Sequence, residues 1–331
     1  MISLSICIPT YNRPKAFKRL LSQLLPQIES QIEIVVRDDS PNDDTKKIFY
    51  SLIKDKKVNF KYFHDSKIGV DLANLFLLEN ASGDYIWWFG DDDELLNGGI
   101  NAVLRLIEKY DDLNFIWANF AFNEKGDLAV NRNSSFFQSG DDVLESLGTN
   151  IGLLSTQIVK RKVALRGLEH AQKHIHGFSF ASTAIVLYVA SEPGNSYFLK
   201  GPFILCNPTT IDEIKSITIN DGVISNNGFI TYGVYFFELI EDFQGRFSKK
   251  SIRKILSVNF ASLWRGILVG WVGGWDTPRG KRISLLKYYW SFSEFWLVFP
   301  ILFLPRFLVT ILYKIYKVFF SHRKFIFTQK S

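Results

Sequence analysis

Four consecutive acidic residues, 91–94, follow a run of bulky apolar residues in the segment YIWWFGDDDELL, which spans residues 85–96. The apolar run is typical of a buried strand, so we expect the acids at its carboxyl end. Clustered carboxylates repel one another and tolerate burial only when they are protonated or bound to a cation. Oxygen ligands of this kind suit Mg2+ or Mn2+, which also bind substrate phosphates. The segment therefore indicates chemistry that uses a divalent cation.

Two further polar clusters follow predicted strands, PTYNR at residues 9–13 and RDDS at residues 37–40. A single cluster of either type is more typical of a turn, a helix cap or a solvated loop. Three clusters at one edge of a parallel sheet favour a binding site, because ligands bind beyond the carboxyl ends of the strands. The chain has no GxxxxGK[ST] segment, and no GxGxxG follows the first strand. This argues against a P-loop nucleotide hydrolase and a dinucleotide-binding domain.

In the first 120 residues, predicted strands alternate with predicted helices, and these elements must position the three clusters. Apolar runs predict strands at residues 4–9, 32–36, 58–63, 85–89 and 115–122. Helical periodicity predicts helices at residues 14–25, 72–80 and 98–110, with a further helix start after RDDS. Nearly continuous apolar strands separated by helices predict an α/β fold with a mostly parallel sheet covered on both faces.

The remainder of the chain is less regular. IGLLSTQIVKRKVAL predicts a strand entering a helix, and FSFASTAIVLYVAS predicts a buried helix. From residue 232 onward the pattern is helical and rich in aromatic residues. We therefore divide the 331-residue chain into residues 1–122, 123–231 and 232–331.

The last part combines apolar and basic residues. After Glu294 the sequence has no acidic residue but six basic ones, and residues 295–320 are mostly Phe, Leu, Ile and Val. Basic arms that bind nucleic acid are polar, so this composition argues against a nucleic-acid partner and favours an anionic membrane surface. Pro300 and Pro305 interrupt the apolar run, which favours an in-plane anchor over a spanning helix. Packing as a core helix is the third alternative.

The segments LSICIPTYNRP, IEIVVRDDSPNDDT and KIGVDLANLFLLENASGDYIWWFGDDDEL resemble the N-terminal half of family 2 glycosyltransferases. The resemblance covers about residues 1–120 and is closest to the bacterial branch that acts in O-antigen and other surface-polysaccharide synthesis. It implies a GT-A, Rossmann-like fold with a nucleotide-sugar-binding half at residues 1–122. Residues 123–231 would form the acceptor-binding half of the same domain, and residues 232–331 a helical, aromatic-rich region with a membrane-associating tail.

The resemblance also implies roles for individual residues in binding a nucleotide-diphosphate sugar. The nucleotide pocket would be lined by Pro9, Thr10, Tyr11 and Arg13. Asp39 would accept a hydrogen bond from the base, while Asp71 and Asn74 would line the sugar-nucleotide side of the cleft.

The metal motif of the family, DxD, is matched with one departure. Alignment of the acidic run with DxD puts Gly90 at the first acid and Asp92 at the second. We expect Asp92 to bind Mg2+ or Mn2+ through the bridging diphosphate, Asp91 to face the ribose or sugar, and Asp93 to add a supporting carboxylate. The alternative is that Asp93 and Glu94 only cap the next helix.

The resemblance implies inversion by a single displacement, in which a base deprotonates an acceptor hydroxyl of a lipid-linked sugar or saccharide. The family's usual acidic base motif is absent from this sequence. We expect the base in the middle third, with His176 as first choice. The other candidates are Glu169, His170, His174, Glu192 and Asp212.

Two other functional classes compete with this interpretation. A nucleotidyltransferase also brings carboxylates and metal to a parallel sheet, but PTYNRPKAF lacks the glycine-rich, basic loop of that class. A degenerate, membrane-bound scaffold is suggested by Gly90 and opposed by the intact Asp39, Asp91 and Asp92. For the transferase we expect a peripheral position on the cytoplasmic face of the inner membrane.

Overall fold

A computed structural model gives the fold and describes residues 2–121, 126–175, 180–206, 231–272 and 283–320. The chain divides into two compact units. The first contains the described residues up to Cys206, and the second contains those from Thr231 onward. The polar clusters predicted at the three strand ends all belong to the first unit.

A mixed, mostly parallel sheet of nine strands forms the centre of the first unit. Its strands are β1 (Leu4–Thr10), β2 (Ile32–Asp38), β3 (Asn59–His64), β4 (Tyr85–Trp88), β5 (Glu94–Leu95), β6 (Leu113–Ala121), β7 (Ser135–Phe136), β8 (Gln157–Lys160) and β9 (Asn195–Leu205). The order across the sheet is β3-β2-β1-β4-β8-β6-β9-β5, and β7 pairs with β9.

Strands β3, β2, β1 and β4 run parallel to one another, so their carboxyl ends share one edge of the sheet. Strand β8 is antiparallel to both β4 and β6, whereas β9 is parallel to β6. Every residue of β1, β2, β4 and β6 is buried. This burial explains their continuous apolar sequences, because helices cover both faces of the sheet.

The first unit contains the helices that the sequence predicts and two that it does not, at residues 140–147 and 168–172. Its helices are α1 (Pro14–Leu24), α2 (Asp44–Ile53), α3 (Val70–Asn80), α4 (Gly99–Lys109), α5 (Gly140–Leu147), α6 (Arg161–Ala164), α7 (Leu168–Gln172) and α8 (Phe180–Ser191). In α1, Pro14 occupies the first turn and Phe17, Leu20, Leu21 and Leu24 form the buried face. The α/β architecture expected from the sequence is therefore confirmed.

The second half of the sheet was only partly predicted. The expected strand-to-helix segment is present as β8 followed by α6, and α8 is buried up to Ala190. Strand β9 was not predicted, because Gly201 and Pro202 lie within it and both residues argue against a strand. Glu94 does not cap a helix, because it begins β5 and α4 starts only at Gly99.

The second unit is helical and aromatic, as the sequence predicts. Its helices are α9 (Phe236–Glu241), α10 (Lys249–Val272), α11 (Leu285–Tyr289), α12 (Phe295–Val298) and α13 (Arg306–Phe320). Within the unit, Tyr289 packs against Phe237, Phe260, Phe292 and Phe295. Among the helices that the structure describes, none combines the length and apolarity needed to cross a bilayer.

Candidate active site at the acidic turn

The end of β4 leads into residues 90–93, called the acidic turn below, directly beside the end of β1. The Phe89 N–H donates to the Cys7 carbonyl, so the turn begins alongside the last residues of β1. The Thr10 hydroxyl donates to Asp91 Oδ2 at 2.7 Å, and the Asp39 N–H donates to the Thr10 carbonyl at 3.0 Å. The expected convergence of the three strand ends is therefore present.

Arg13, which precedes α1, bridges two acids of the turn. Its Nη1 donates to Asp91 Oδ1 at 3.0 Å and to Asp92 Oδ2 at 2.9 Å. Arg19, six residues further along the chain, donates to the Asp92 carbonyl at 2.8 Å and lies 3.4 Å from Glu94 Oε1. Two arginines from one short helical segment thus compensate part of the negative charge.

The crowding has an electrostatic consequence for Asp91. Burial raises the pKa of Asp91 to about 6, and the adjacent Asp92 carboxylate adds to the rise. The Arg13 guanidinium and the Thr10 hydroxyl act in the opposite direction. The Asp91 carboxylate is 5% exposed, so ionisation at neutral pH leaves negative charge in a poorly solvated place.

Asp93, the last residue of the acidic turn, contacts Ser155, which lies outside the turn. Its Oδ2 accepts a hydrogen bond from the Ser155 hydroxyl at 2.5 Å, and that hydroxyl accepts one from the Gly90 N–H at 2.9 Å. The Cys206 thiol at the end of β9 also meets this carboxylate. Burial raises the pKa of Cys206, and the charge and hydrogen bond of Asp93 raise it further.

Gly90 occupies the position that alignment assigns to the first acid of the metal motif. A Cβ atom on Gly90 would lie 3.1 Å from Asp92 Oδ1 and 3.4 Å from both Asp93 Oδ2 and Ser155 Oγ. The space into which a side chain at position 90 would project is therefore bordered by two carboxylates and one hydroxyl.

The carboxylates of the acidic turn do not form a complete set of metal ligands by themselves. Within the described residues, no group of three or more His, Cys, Asp or Glu side chains is arranged to hold a metal. Mg2+ needs only one or two carboxylates when substrate phosphates and water supply its other ligands. The Asp92 side chain is 27% exposed, and its carboxylate already attracts one cationic group, Arg13. The acidic turn therefore fits a metal that is bound jointly with a diphosphate.

At the end of β2, protein groups donate hydrogen bonds to both carboxylate oxygens of Asp39. Asp39 Oδ1 accepts from Arg37 Nε at 2.8 Å, and Oδ2 accepts from the N–H groups of Ile68 and Gly69, both at 3.0 Å. The sequence did not indicate that Asp39 would anchor the start of α3 in this way. Contact of Asp39 with a nucleotide base stays a prediction.

The other residues predicted for the nucleotide pocket follow β1. Pro9 is buried in β1, and Tyr11 is half-buried with the Lys67 ammonium 4.1 Å from its ring centroid. Asn12 has a positive φ of 53°, and its N–H donates to Ser40 Oγ at 2.8 Å. A left-handed asparagine makes the sharp turn that brings Arg13 back to the acids.

Asp71 and Asn74 lie on α3 and are 1% and 0% exposed. Asp71 Oδ1 accepts a hydrogen bond from the Ala181 N–H in the first turn of α8, at 3.0 Å. Neither atom of the Asn74 side-chain amide has a hydrogen-bond partner in the described part of the chain. Their predicted contact with the sugar nucleotide remains untested.

The candidates for the base are scattered. His176 and Asp212 lie outside the described residues. Glu192 follows α8 and forms an ion pair with Arg166 at 2.8 Å, and the His170 ring packs on Tyr188. Because α8 contacts Asp71 at its start, Glu192 lies roughly 16 Å away along a 12-residue helix, judged from the rise per residue.

The sheet, its order and the acidic turn define a GT-A-type domain, and comparison with known proteins supplies the family. The profile described as "Glycosyl transferase family 2" matches residues 5–166. Residues 5–166 therefore form a glycosyltransferase family 2 domain, which accounts for just under half of the chain.

Two curated relatives are bacterial transferases. The first is the GalNAc(5)-diNAcBac-PP-undecaprenol beta-1,3-glucosyltransferase of Campylobacter jejuni, 30% identical over 39% of this chain and 41% of that protein. The second is the abequosyltransferase RfbV of Salmonella typhimurium, 25% identical over 61% of this chain and 66% of that protein. The chain thus matches less than half the length of the Campylobacter relative.

A solved structure, S. aureus TarS 1-349, shares the fold with a TM-score of 0.55 and 13% identity, and the match covers 87% of this chain and 79% of that TarS fragment. The same TarS fragment has also been solved in complex with UDP. At this identity the likeness concerns the fold.

Proposed function

We propose that the protein is an inverting glycosyltransferase that moves a sugar from a nucleotide-diphosphate sugar to an acceptor hydroxyl in cell-surface polysaccharide synthesis. The observation that carries the proposal is the meeting of Thr10 and Arg13 with Asp91 and Asp92 at the sheet edge of a family 2 domain. The C. jejuni relative is named for a saccharide on PP-undecaprenol. This supports a lipid-linked or saccharide acceptor.

The reaction forms one bond and breaks one bond. The acceptor oxygen attacks the anomeric carbon, and the bond from that carbon to the diphosphate oxygen breaks with its electron pair on the nucleoside diphosphate. The proton of the acceptor hydroxyl passes to a base, for which His176 is our first choice. Inversion follows because the attack and the departure occur on opposite faces of the sugar.

The residues of the acidic turn would have different roles in binding the donor. Asp92, supported by Asp93, would hold Mg2+ or Mn2+, which supplies positive charge to the departing diphosphate. Thr10 and Arg13 donate hydrogen bonds to the Asp91 carboxylate, and these bonds would orient it towards a hydroxyl of the ribose or sugar. Pro9, Tyr11 and Asp39 would shape the base-binding side of the pocket.

Product release from a donor panel tests this function. The full chain would be incubated with UDP-, GDP-, dTDP- and CDP-linked sugars, Mn2+ and a lipid extract containing undecaprenyl-diphosphate saccharides. We expect release of one nucleoside diphosphate, accelerated by the extract and abolished by EDTA. Release of inorganic diphosphate from a nucleoside triphosphate would instead show a nucleotidyltransferase, and no turnover with any donor would favour a scaffold.

We further propose that the second unit lies on the anionic, cytoplasmic membrane surface without crossing it. Helix α13 packs against α10 and buries Val309, but it leaves a wide apolar face exposed. The exposed residues of this face are Phe307, Leu308, Ile311, Leu312 and Ile315. The spacing of four residues places Phe307, Ile311 and Ile315 in one row. An exposed apolar row next to basic residues suits insertion at the headgroup boundary.

Vesicle sedimentation of the full chain tests the membrane proposal. The triple variant Phe307→Ser, Ile311→Ser, Ile315→Ser should bind vesicles with anionic lipid at least about 100-fold more weakly, because each buried apolar side chain contributes roughly 1.5–3 kcal/mol. Phe60→Ser, which removes a 41% exposed apolar residue on β3, is the matched control and should bind normally. Equal binding by the triple variant and the wild type would contradict the proposal.

A further inference from the structure

Ser155 belongs to no motif, yet it contacts both ends of the acidic turn. It lies in the 3-10 turn Leu154–Thr156 that leads into β8, and it is 0% exposed. Its hydroxyl accepts from the Gly90 N–H at 2.9 Å and reaches Asp93 Oδ2 at 2.5 Å. Because the Gly90 N–H can only donate, the hydroxyl proton is directed to Asp93.

The backbone around Ser155 is itself attached to the strand that carries the acids. The Trp87 Nε1–H donates to the Ser155 carbonyl at 2.7 Å, and Trp87 pairs with Ile158 across β4 and β8. Trp87 is fully buried. The Trp87 side chain and the pairing of β8 with β4 therefore fix the position of Ser155 relative to β4. The Ser155 hydroxyl in turn orients the Asp93 carboxylate.

The restricted Asp93 carboxylate lies close to the space that Gly90 leaves open. A Cβ on Gly90 would lie 3.4 Å from both Asp93 Oδ2 and Ser155 Oγ, and 3.1 Å from Asp92 Oδ1, the oxygen of the second acid of the motif. An acidic side chain at position 90 would project into the same region. Asp93, although three residues later in the chain, thus brings a carboxylate to the border of the space that the first acid of DxD would enter.

We propose that Asp93 supplies the carboxylate missing at Gly90 and that Ser155 is the positioning residue that holds it there. The inference rests on the proposed function, because it concerns the same metal and diphosphate site. The first acid of the motif would thereby be displaced three residues along the chain. A group that orients a metal-binding carboxylate typically changes metal affinity 10–100-fold when it is removed.

The direct test measures metal binding without turnover. Mn2+ with inorganic diphosphate serves as the probe, since it requires no knowledge of the donor base, and water-proton relaxation reports Mn2+ bound to the protein. We expect Ser155→Ala to weaken binding about 10–100-fold. Ser155→Thr should restore it, because threonine keeps the hydroxyl.

A neighbouring residue provides the matched control. Thr156 is also 0% exposed, but its hydroxyl donates to the Leu153 carbonyl at 2.7 Å instead of contacting the acidic turn. Thr156→Val should therefore bind Mn2+ as the wild type does. Ser155→Cys, which preserves size and donates only weakly, gives a second test if Ser155→Ala does not fold.

A double-mutant cycle shows whether Ser155 acts through Asp93. If it does, the variant with both Ser155→Ala and Asp93→Asn should bind Mn2+ no more weakly than Asp93→Asn alone. Additive losses, or normal binding by both Ser155→Ala and Ser155→Cys, would overturn the inference. Absence of Mn2+ binding in the wild-type protein would instead overturn the proposed metal use itself.

Discussion

Neighbouring aspartates lie at the carboxyl ends of both β2 and β4, but the fold surrounds the two groups differently. At the end of β2, Asp38 accepts from the Ser40 N–H and the Tyr62 hydroxyl, and Asp39 accepts from Arg37 and two backbone N–H groups. At the end of β4, three consecutive carboxylates gather around side chains from distant segments.

The difference separates carboxylates that stabilise the fold from carboxylates that are suited to bind a ligand. Asp39 accepts hydrogen bonds from the backbone N–H groups of Ile68 and Gly69, so loss of its carboxylate leaves these two groups without their acceptor. At the end of β4 the carboxylates are close to one another, and burial raises the pKa of Asp91 to about 6. Replacement of acids at the end of β2 should therefore cost stability, whereas replacement of acids at the end of β4 should cost activity.

The largest effect is expected at Asp92. Asp92→Ala removes the proposed metal ligand, and we expect the loss of several kcal/mol of transition-state stabilisation to lower kcat/KM by on the order of 1,000-fold. The melting temperature should stay near that of the wild type. Asp55→Ala, at an exposed position, is the control and should keep full activity. Near-normal turnover by Asp92→Ala would remove Asp92 from the site, and Asp93→Ala should be milder.

A smaller loss is expected at Asp39, and it should affect binding and stability together. Asp39→Ala should weaken nucleotide binding by about 1.5–3 kcal/mol, the scale of a charge-assisted hydrogen bond. It should also lower the free energy of unfolding by roughly 1–3 kcal/mol, because the Ile68 and Gly69 N–H groups lose their acceptor. Calorimetric titration and urea denaturation measure the two quantities. Reduced stability with unchanged nucleotide affinity would make Asp39 a structural residue only.

Asp91 should respond in the opposite direction, with a gain in stability. The pKa of Asp91 is raised by burial from its ordinary 3.8 to about 6, so ionisation opposes folding by up to about 3 kcal/mol at neutral pH. Asp91→Asn removes that cost but also weakens the contact with Arg13, so we expect a net gain of about 1 kcal/mol or more at pH 7.5.

The sign of this effect with pH can be checked in the same experiment. A raised carboxyl pKa means that wild-type stability falls as the pH rises from about 4 to about 6. The advantage of Asp91→Asn should therefore be smaller at pH 5 than at pH 7.5 in urea denaturation with EDTA. An advantage that grows on acidification would contradict the electrostatic account of the turn.

The sequence predicted the half of the fold that depends on local patterns. Continuous apolar strands and a helix with one buried face identified β1 to β4 and α1, and the rule for parallel sheets placed Thr10, Asp39 and Asp92 at one edge. Strand β9 was not predicted, because Gly201 and Pro202 argue against a strand, and the pairing of β9 with β6 overrides that local preference.

Long-range hydrogen bonds were the part of the site that the sequence did not predict. Ser155 is one serine in an apolar run, and its bond to Asp93 joins residues 62 positions apart. Asp39 was recognised by its place after β2, but its bonds to Ile68 and Gly69 depend on how the chain returns to that edge. Such contacts are determined by tertiary packing and leave no periodic pattern in the chain.

The central claim is that the acidic turn binds a nucleoside diphosphate together with a divalent cation. Thermal unfolding of the full chain with UDP, GDP, dTDP or CDP, in Mn2+ or in EDTA, tests it most directly. A ligand present at 100 times its Kd stabilises the folded protein by about 2.7 kcal/mol, which is readily measured as a higher Tm. We predict a rise in Tm with one nucleotide that requires Mn2+ and is absent in Asp92→Ala. A rise of equal size in EDTA, or in Asp92→Ala, would contradict the claim.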